Sequence, residues 1–512
     1  MPVHGWTTKF LELMAESRQL KVAVCPLRPV TAGVIIVMKM QRTVLVVLAV
    51  VLAYPALAGA QPAGAPASDT SGYYFLLGRY YESTGDVDKA IASHKQALTL
   101  EPASAEIRAE LAGLYARQDR PAEAVEMAEA ALDKDPANRE ANRIIGSVFA
   151  ALAEQRQPLK PGDDPATYLP RAIGALERAA QQGGGDVALD LTLGRLYLQS
   201  KAYDKAVPLL RRVVAQQPGY TEIAILLATA EDGAKQTDDA IATLRASLDE
   251  NPKSLRGWVM LGELSEKEND WQTAADAYAR AQELNPRLDL STRRAGALLN
   301  AGNAAAARDL LKAAASAPKA GPVVLYLYAT ALRQTGDLAG AEEAAQRLRT
   351  AAPDDARGMY VLAQVLEAKK DFDGAERALR EILQRDPGDA TALNYLGYML
   401  AERGHRLDEA VELVQRALKL EPGNPSFLDS LGWAYYQQGK LDLADAPLSE
   451  AASKMPNNSV IQDHLGDLRF KQRRFADAAA AWERSLSGDG DSIDRSRIQQ
   501  KIQDARSRLE RP

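Results

Sequence analysis

A small residue returns along this chain at a nearly constant interval, and that interval constrains the fold more than any other feature. Gly78, Ala112, Gly146, Gly194, Ala228, Gly262, Gly296, Ala329, Ala363, Gly397, Gly432 and Gly466 follow one another at separations of 34, 34, 48, 34, 34, 34, 33, 34, 34, 35 and 34 residues. A period of this size marks one supersecondary unit stacked on itself. The 512 residues therefore do not divide into the roughly three or four separate domains that length alone suggests. The single large separation comes from an insertion of about 14 residues around "QRQPLKPGDDPATYLP", whose Pro and Gly content reads as a loop near 154–170.

Every unit carries a second small residue: Ala90, Ala124, Ala172, Ala206, Ala240, Ala274, Ala307, Ala341, Ala375, Ala410, Ala444 and Ala478. Ten units then close on a proline, while Gly184 and Gly490 stand in the other two places. Within one unit, Leu428, Leu431, Gly432 and Tyr435 fall at i, i+3, i+4 and i+7 and form one face of a first helix. Gly439 ends that helix, and a second begins near Leu441, carries Ala444, Leu448 and Ala451 inward, and stops at Pro456. A glycine inside a helix costs about 0.5–1 kcal/mol relative to alanine. Its recurrence predicts a neighbouring helix that passes too close for a larger side chain.

These marks resemble the tetratricopeptide repeat family: a bulky residue, Leu-Gly, a Tyr, then Ala, Ala and Pro within about 34 residues. "YYFLLGRYYESTGDVDKAIASHKQALTLEP" (73–102) and "WVMLGELSEKENDWQTAADAYARAQELNP" (258–286) match nearly throughout. The resemblance implies an all-α fold, a right-handed α-solenoid superhelix of about twelve helix-turn-helix repeats over residues 71–490. The third unit, with its insertion, and the alanine-rich seventh are the expected soft joints. Residues 491–512 place Ile498, Ile502, Ala505 and Leu509 on one stripe and read as a C-terminal capping helix. "GDGDSID" before it lacks the EF-hand glycine and glutamate spacing and reads as an acidic helix start.

In such a solenoid the first helix of each unit lines the inner face, through positions three before, one after and four after the small mark. Units one to seven place mixed residues there. Units eight to twelve place Tyr326 and Arg333, Tyr360 and Gln364, Asn394 and Tyr398, then Asp429, Trp433 and Tyr436, and finally Asp463, Asp467 and Phe470. Tyrosine and tryptophan supply large contact area with a polar handle and are favoured in recognition. The expected partner-binding groove is therefore Tyr326, Tyr360, Asn394, Tyr398, Asp429, Trp433, Tyr436, Asp463, Asp467 and Phe470. Asn394 is placed to hydrogen-bond the main chain of an extended peptide. The Lys, Asn and Arg clamp that some family members use to hold a peptide's terminal carboxylate is not matched.

Ahead of the repeats, "MKMQRTVLVVLAVVLAYPALAGAQPAG" has the layout of a secretory signal peptide over 38–60: Lys39 and Arg42, an apolar run from Val44 to Leu57, then Ala58-Gly59-Ala60. The run is shorter than the roughly 20 residues of a spanning helix; an uncleaved anchor in the inner membrane is the alternative. Residues 1–37 then read as an upstream extension from a mis-assigned start, and 61–70 as a flexible linker. Cys25 is the only cysteine, so a chain cleaved after Ala60 holds no disulfide and no cysteine for a lipid. The expected location is the periplasm or cell envelope.

With a formal net charge of −6 and no basic block, nucleic-acid binding has no electrostatic support. His4, His94, His405 and His464 are scattered, and no phosphate-cradling loop or metal-ligand spacing occurs. We therefore expect no enzyme activity, catalytic residue, cofactor or metal. Units ten to twelve further resemble bacterial envelope members of the family, among them a lipoprotein scaffold for a carboxy-terminal processing protease. That implies an adaptor with a protein or peptide partner, an envelope protease among the candidates. A cell-wall or glycan binder stacking sugars on Trp433, Tyr398 and Tyr436, and a cytoplasmic scaffold with an unused signal, are the alternatives.

Overall fold

A computed structural model describes residues 70–183, 185–489 and 493–509. The signal run, Cys25, His4, the upstream extension and all but the last residue of the linker lie outside them. Among the described residues there are 25 α-helices and no strand. Twelve helix pairs run from Ser71–Ser83 with Val87–Leu100 to Ser459–Lys471 with Phe475–Ser487, and a last helix, Arg495–Leu509, follows. The chain is thus the all-α repeat fold that its periodicity implies. It forms two compact units that part between Ile144 and Ile145, inside the first helix of the third repeat, Arg139–Gln155.

Local chemistry sets the helix ends. Asp270, Asp337, Asp371 and Asn458 each accept a hydrogen bond from the backbone amide three residues on, satisfying a donor that the first turn leaves free. The first helix of most repeats stops on a left-handed residue. Gly336 and Gly439 adopt φ of 84° and 77° there, and Lys235 and Lys370 hold the same conformation at 63° and 62° at the steric cost of a Cβ. The inserted segment of the third repeat is tied down by the buried Tyr168, whose hydroxyl accepts from the Leu159 amide and donates to Asp163 Oδ2, both at 2.8 Å. The acidic stretch near the last helix serves helix starts: Asp489 accepts from the Ser459 amide at 3.0 Å, and Asp494 from those of Ser496 and Arg497 at 3.1 and 3.0 Å.

The recurring small residues sit where the two helices of a repeat touch. A Cβ built on Gly262 would lie 2.5 Å from the Tyr278 ring, on Gly432 2.4 Å from Leu448 Cγ, and on Gly466 2.4 Å from the Trp482 indole. Gly78, Gly146, Gly194 and Gly397 are equally confined, against His94, Leu176, Leu210 and Val414. All twelve alanines of the second mark are 0% exposed. The seventh repeat departs from the expected register. A Cβ on Gly296 would meet nothing within 4 Å, whereas Ala295 is 0% exposed. The packing position has moved back by one residue, because the second helix of this repeat arrives one residue early.

Two substitutions separate these cases. Gly262→Ala forces the Tyr278 ring aside and is expected to lower stability by about 1–3 kcal/mol. Gly296→Ala, in open space inside a helix, is expected to raise it by about 0.5–1 kcal/mol. Urea unfolding of both variants against the parent chain checks the pair; equal effects would show that glycine clearance is not what sets the helix spacing.

Candidate functional site

The first helices of repeats nine to twelve, Arg357–Ala368, Ala390–Glu402, Pro425–Gln437 and Ser459–Lys471, set their inner positions side by side. Between them lies a pocket of about 350 Å³, lined by Tyr360, Gln364, Thr391, Asn394, Tyr395, Tyr398, Ser426, Asp429, Ser430, Asn458, Val460 and Ile461. The structure thus brings four of the ten predicted groove residues, Tyr360, Asn394, Tyr398 and Asp429, into one site. Its lining combines three tyrosines with the amides of Gln364, Asn394 and Asn458 and the hydroxyls of Thr391, Ser426 and Ser430. A few placed polar groups among apolar ones is the composition of a ligand-recognition pocket.

Several polar groups in this pocket are unspent, Asn394 and Tyr398 among them. The Asn394 amide oxygen is buried with no hydrogen-bond partner among the described residues, a condition that costs folding free energy and is uncommon in native proteins. Tyr398 likewise donates to no described residue. Burial, and after it the carboxylates of Glu402, Asp429, Glu367 and Asp463, push its phenol well above the ordinary tyrosine range. Tyr360 is committed: its hydroxyl donates to Asp389 Oδ1 at 2.6 Å, which fixes the ring as a wall. Beyond the pocket, Tyr326 lies under the Arg357 guanidinium at 5.4 Å.

Trp433, Asp463, Asp467 and Phe470 lie outside this lining and are engaged by the chain itself, as is Asp429 within it. Trp433 is not a free platform. Its ring is stacked between Tyr436, at 4.8 Å and 10°, and His464, at 4.0 Å and 15°, and its Nε1 donates to Glu402 Oε2 at 2.7 Å. The only charged residue of the pocket lining, Asp429, is 5% exposed and holds His464 Nδ1 at 3.0 Å through both oxygens. Asp463 and Asp467 share Lys501 of the last helix at 2.8 and 2.6 Å. Phe470 packs on Phe475 and Trp482 and lies beneath Arg508. The last helix therefore covers the inner positions of repeat twelve. Tyr436 keeps a partly exposed edge; burial first, then Asp467 and Asp463, push its phenol up to about 12.

Sequence reasoning missed Lys501, Tyr395 and Asn458. Counting one more period beyond Gly466 would have placed Lys501 at an inner position, the signal that was there to read. Tyr395 stands outside the three inner positions used, and its hydroxyl donates to Glu367 Oε2 at 2.5 Å. Asn458 caps the helix of repeat twelve and reaches the pocket from its start.

The Asp429–His464 pair makes this end of the fold sensitive to pH. Burial disfavours the imidazolium, but Asp429, with Asp463 and Glu402 behind it, wins and holds the His464 pKa above its ordinary 6.5. A raised folded-state value means that the pair's stabilisation is fully present below about pH 6.5 and is lost as pH rises through the folded value. The melting temperature of the parent chain is expected to fall more between pH 6 and pH 9 than that of His464→Gln; parallel profiles would refute the assignment.

Two family models, both described as tetratricopeptide repeat, match residues 292–356, 360–425 and 400–459, and residues 83–147, 169–230 and 198–264, together more than half of the chain. The chain is 30% identical over 208 residues to the TPR repeat-containing protein PA4667 of Pseudomonas aeruginosa, a match covering 40% of this chain and 35% of that protein. It is similar in structure to yeast Tom70, with a TM-score of 0.44 at 15% identity over 86% of this chain and 95% of that one. It is also similar to MamA of Desulfovibrio magneticus, with a TM-score of 0.30 at 22% identity over 36% of this chain and 97% of the other.

Proposed function

The chain belongs to the tetratricopeptide repeat family, and on that footing we propose that it is a non-catalytic scaffold of the bacterial cell envelope. In this reading it holds a protein or peptide partner in the groove of repeats nine to twelve. The observation that carries the reading is the pocket itself, in which Asn394 offers a buried amide oxygen with no partner among the described residues. An extended polypeptide presents backbone N–H groups at the spacing that such an amide recognises, and the aromatic walls supply contact area at low entropic cost.

The signal run over 38–60 supports export, and the likeness of repeats ten to twelve to envelope members of the family supports an envelope enzyme, a processing protease among them, as the partner. No helix among the described residues is long and apolar enough to cross a membrane. The chain spans 35% of the length of the curated relative that it matches, and that relative's name records repeats and no activity. The sugar-binding alternative is weakened by the packing: both faces of the Trp433 ring are already occupied.

Two measurements test this reading. A photo-crosslinking residue in place of Gln364, on the pocket wall, is expected to trap an envelope polypeptide in living cells, and the yield is expected to fall several-fold when Asn394→Ala is added. An unchanged yield would remove the groove from the binding surface. Mass spectrometry of the exported chain is expected to give Gln61 as the mature N-terminus; a chain that keeps residues 38–60 in the cytoplasm would refute export.

A further inference from the structure

The chemistry of the partner is legible in the charges around the pocket. None of its lining residues is Lys or Arg. Carboxylates surround it from several successive helices, and most are neutralised incompletely. Glu402 accepts from the Trp433 indole, Glu367 from the Tyr395 hydroxyl and Asp389 from the Tyr360 hydroxyl, all uncharged donors that leave the full negative charge in place. Asp463 and Asp467 have a single Lys501 between them. Asp429 has His464. Arg333 acts on the Tyr395 phenol and so offsets part of the charge at Glu367, but the carboxylates named here outnumber the cations. Clefts lined by one sign of charge with low-dielectric walls focus the field and concentrate the opposite charge.

The polar groups that face this field have no side-chain partner among the described residues. The side chains of Gln364, Thr391, Asn394, Tyr398 and Ser426 line the pocket, and none makes a hydrogen bond to another described residue. They are drawn from three successive helices, so they form a track rather than a point. An extended backbone suits such a track, and the Tyr398 ring in the lining is an aromatic group of the kind that attracts a cation. Lys501 already shows how an ammonium is held here, between Asp463 and Asp467 and 5.5 Å from the Trp482 ring.

We propose that the pocket of repeats nine to twelve selects an extended polypeptide segment carrying lysine or arginine, whose cation seats near Glu402 and Glu367 while its main chain is held by Asn394. This rests on the groove-binding reading above and adds the sign of the ligand. Acidic or carboxylate-terminated segments are disfavoured, because they bring like charge into a poorly hydrated site.

Fluorescence anisotropy of two labelled peptides of equal length, alternating Ala–Lys and alternating Ala–Glu, tests the proposal on the exported chain at low salt. The lysine peptide is expected to bind and the glutamate peptide to bind at least tenfold more weakly. Glu402→Gln keeps an acceptor for Trp433 and Glu367→Gln keeps one for Tyr395. Each is expected to weaken lysine-peptide binding by about fivefold, the size of one partly exposed ion pair. Glu126→Gln, on an exposed surface of the other compact unit, is expected to change nothing, which separates the pocket from the chain's general negative charge. Circular dichroism confirms that each variant is folded. If the glutamate peptide binds as well or better and Asn394→Ala weakens it, the charge assignment is overturned and groove binding stands. If neither Asn394→Ala nor the two glutamate variants alters binding, or if neither peptide binds, the pocket is not the peptide site and both readings fall.

Discussion

The contact on which the rest depends is the one between the glycine of each first helix and the bulky side chain of the second. In repeats six, eleven and twelve, Tyr278, Leu448 and Trp482 lie where a Cβ would stand. This draws the two helix axes together and gives each repeat one allowed depth. Glycine in a helix is unfavourable by about 0.5–1 kcal/mol, and the burial of a Leu, Tyr or Trp side chain, about 1.5–3 kcal/mol for the aliphatic and aromatic cases, more than offsets it. With the depth fixed, the inner positions of successive first helices fall into rows. Thr391, Ser426 and Val460 form one such row and Tyr360, Asn394 and Asp429 another, each residue at the same place in its own repeat. The pocket is thus a consequence of uniform helix spacing rather than of any special loop.

The architecture was legible because the packing constraint is repeated. A clearance that admits no Cβ must be written as Gly or Ala each time, so the sequence carries it as a period. The seventh repeat shows the limit of that logic. Gly296 keeps the period in the sequence, yet Ala295 takes the packing place, and only the position of the second helix distinguishes them. A small residue in register is therefore necessary for the contact and does not prove it.

The candidate site was legible only to the level of face. Register put Trp433 and Asp429 on the inner side, and Asp429 does line the pocket, but their partner, His464, comes from the next repeat, and whether it stacks on the indole depends on the angle between repeats. Likewise, the loss of Asp463, Asp467 and Phe470 to Lys501 and Arg508 follows from how the last helix lies over repeat twelve. Contacts inside one repeat recur and can be read from spacing; contacts between particular side chains of adjacent repeats occur once.

The buried stack has a role in the pocket even though it takes no ligand. Asp429 is oriented by His464, His464 is held flat against Trp433, and the Trp433 indole fixes the carboxylate of Glu402. Each partner restricts the rotamers of the next, so two of the carboxylates that set the sign of the field are immobilised before any ligand arrives. A mobile carboxylate would give up side-chain entropy on binding, about 0.5–1.5 kcal/mol for each immobilised long side chain. The stack incurs that cost on folding instead. Of the aromatic residues that the sequence marks as a contact surface, Trp433 thus acts one layer behind it, holding in place charges that a partner would meet, while Tyr360 and Tyr398 line the pocket itself.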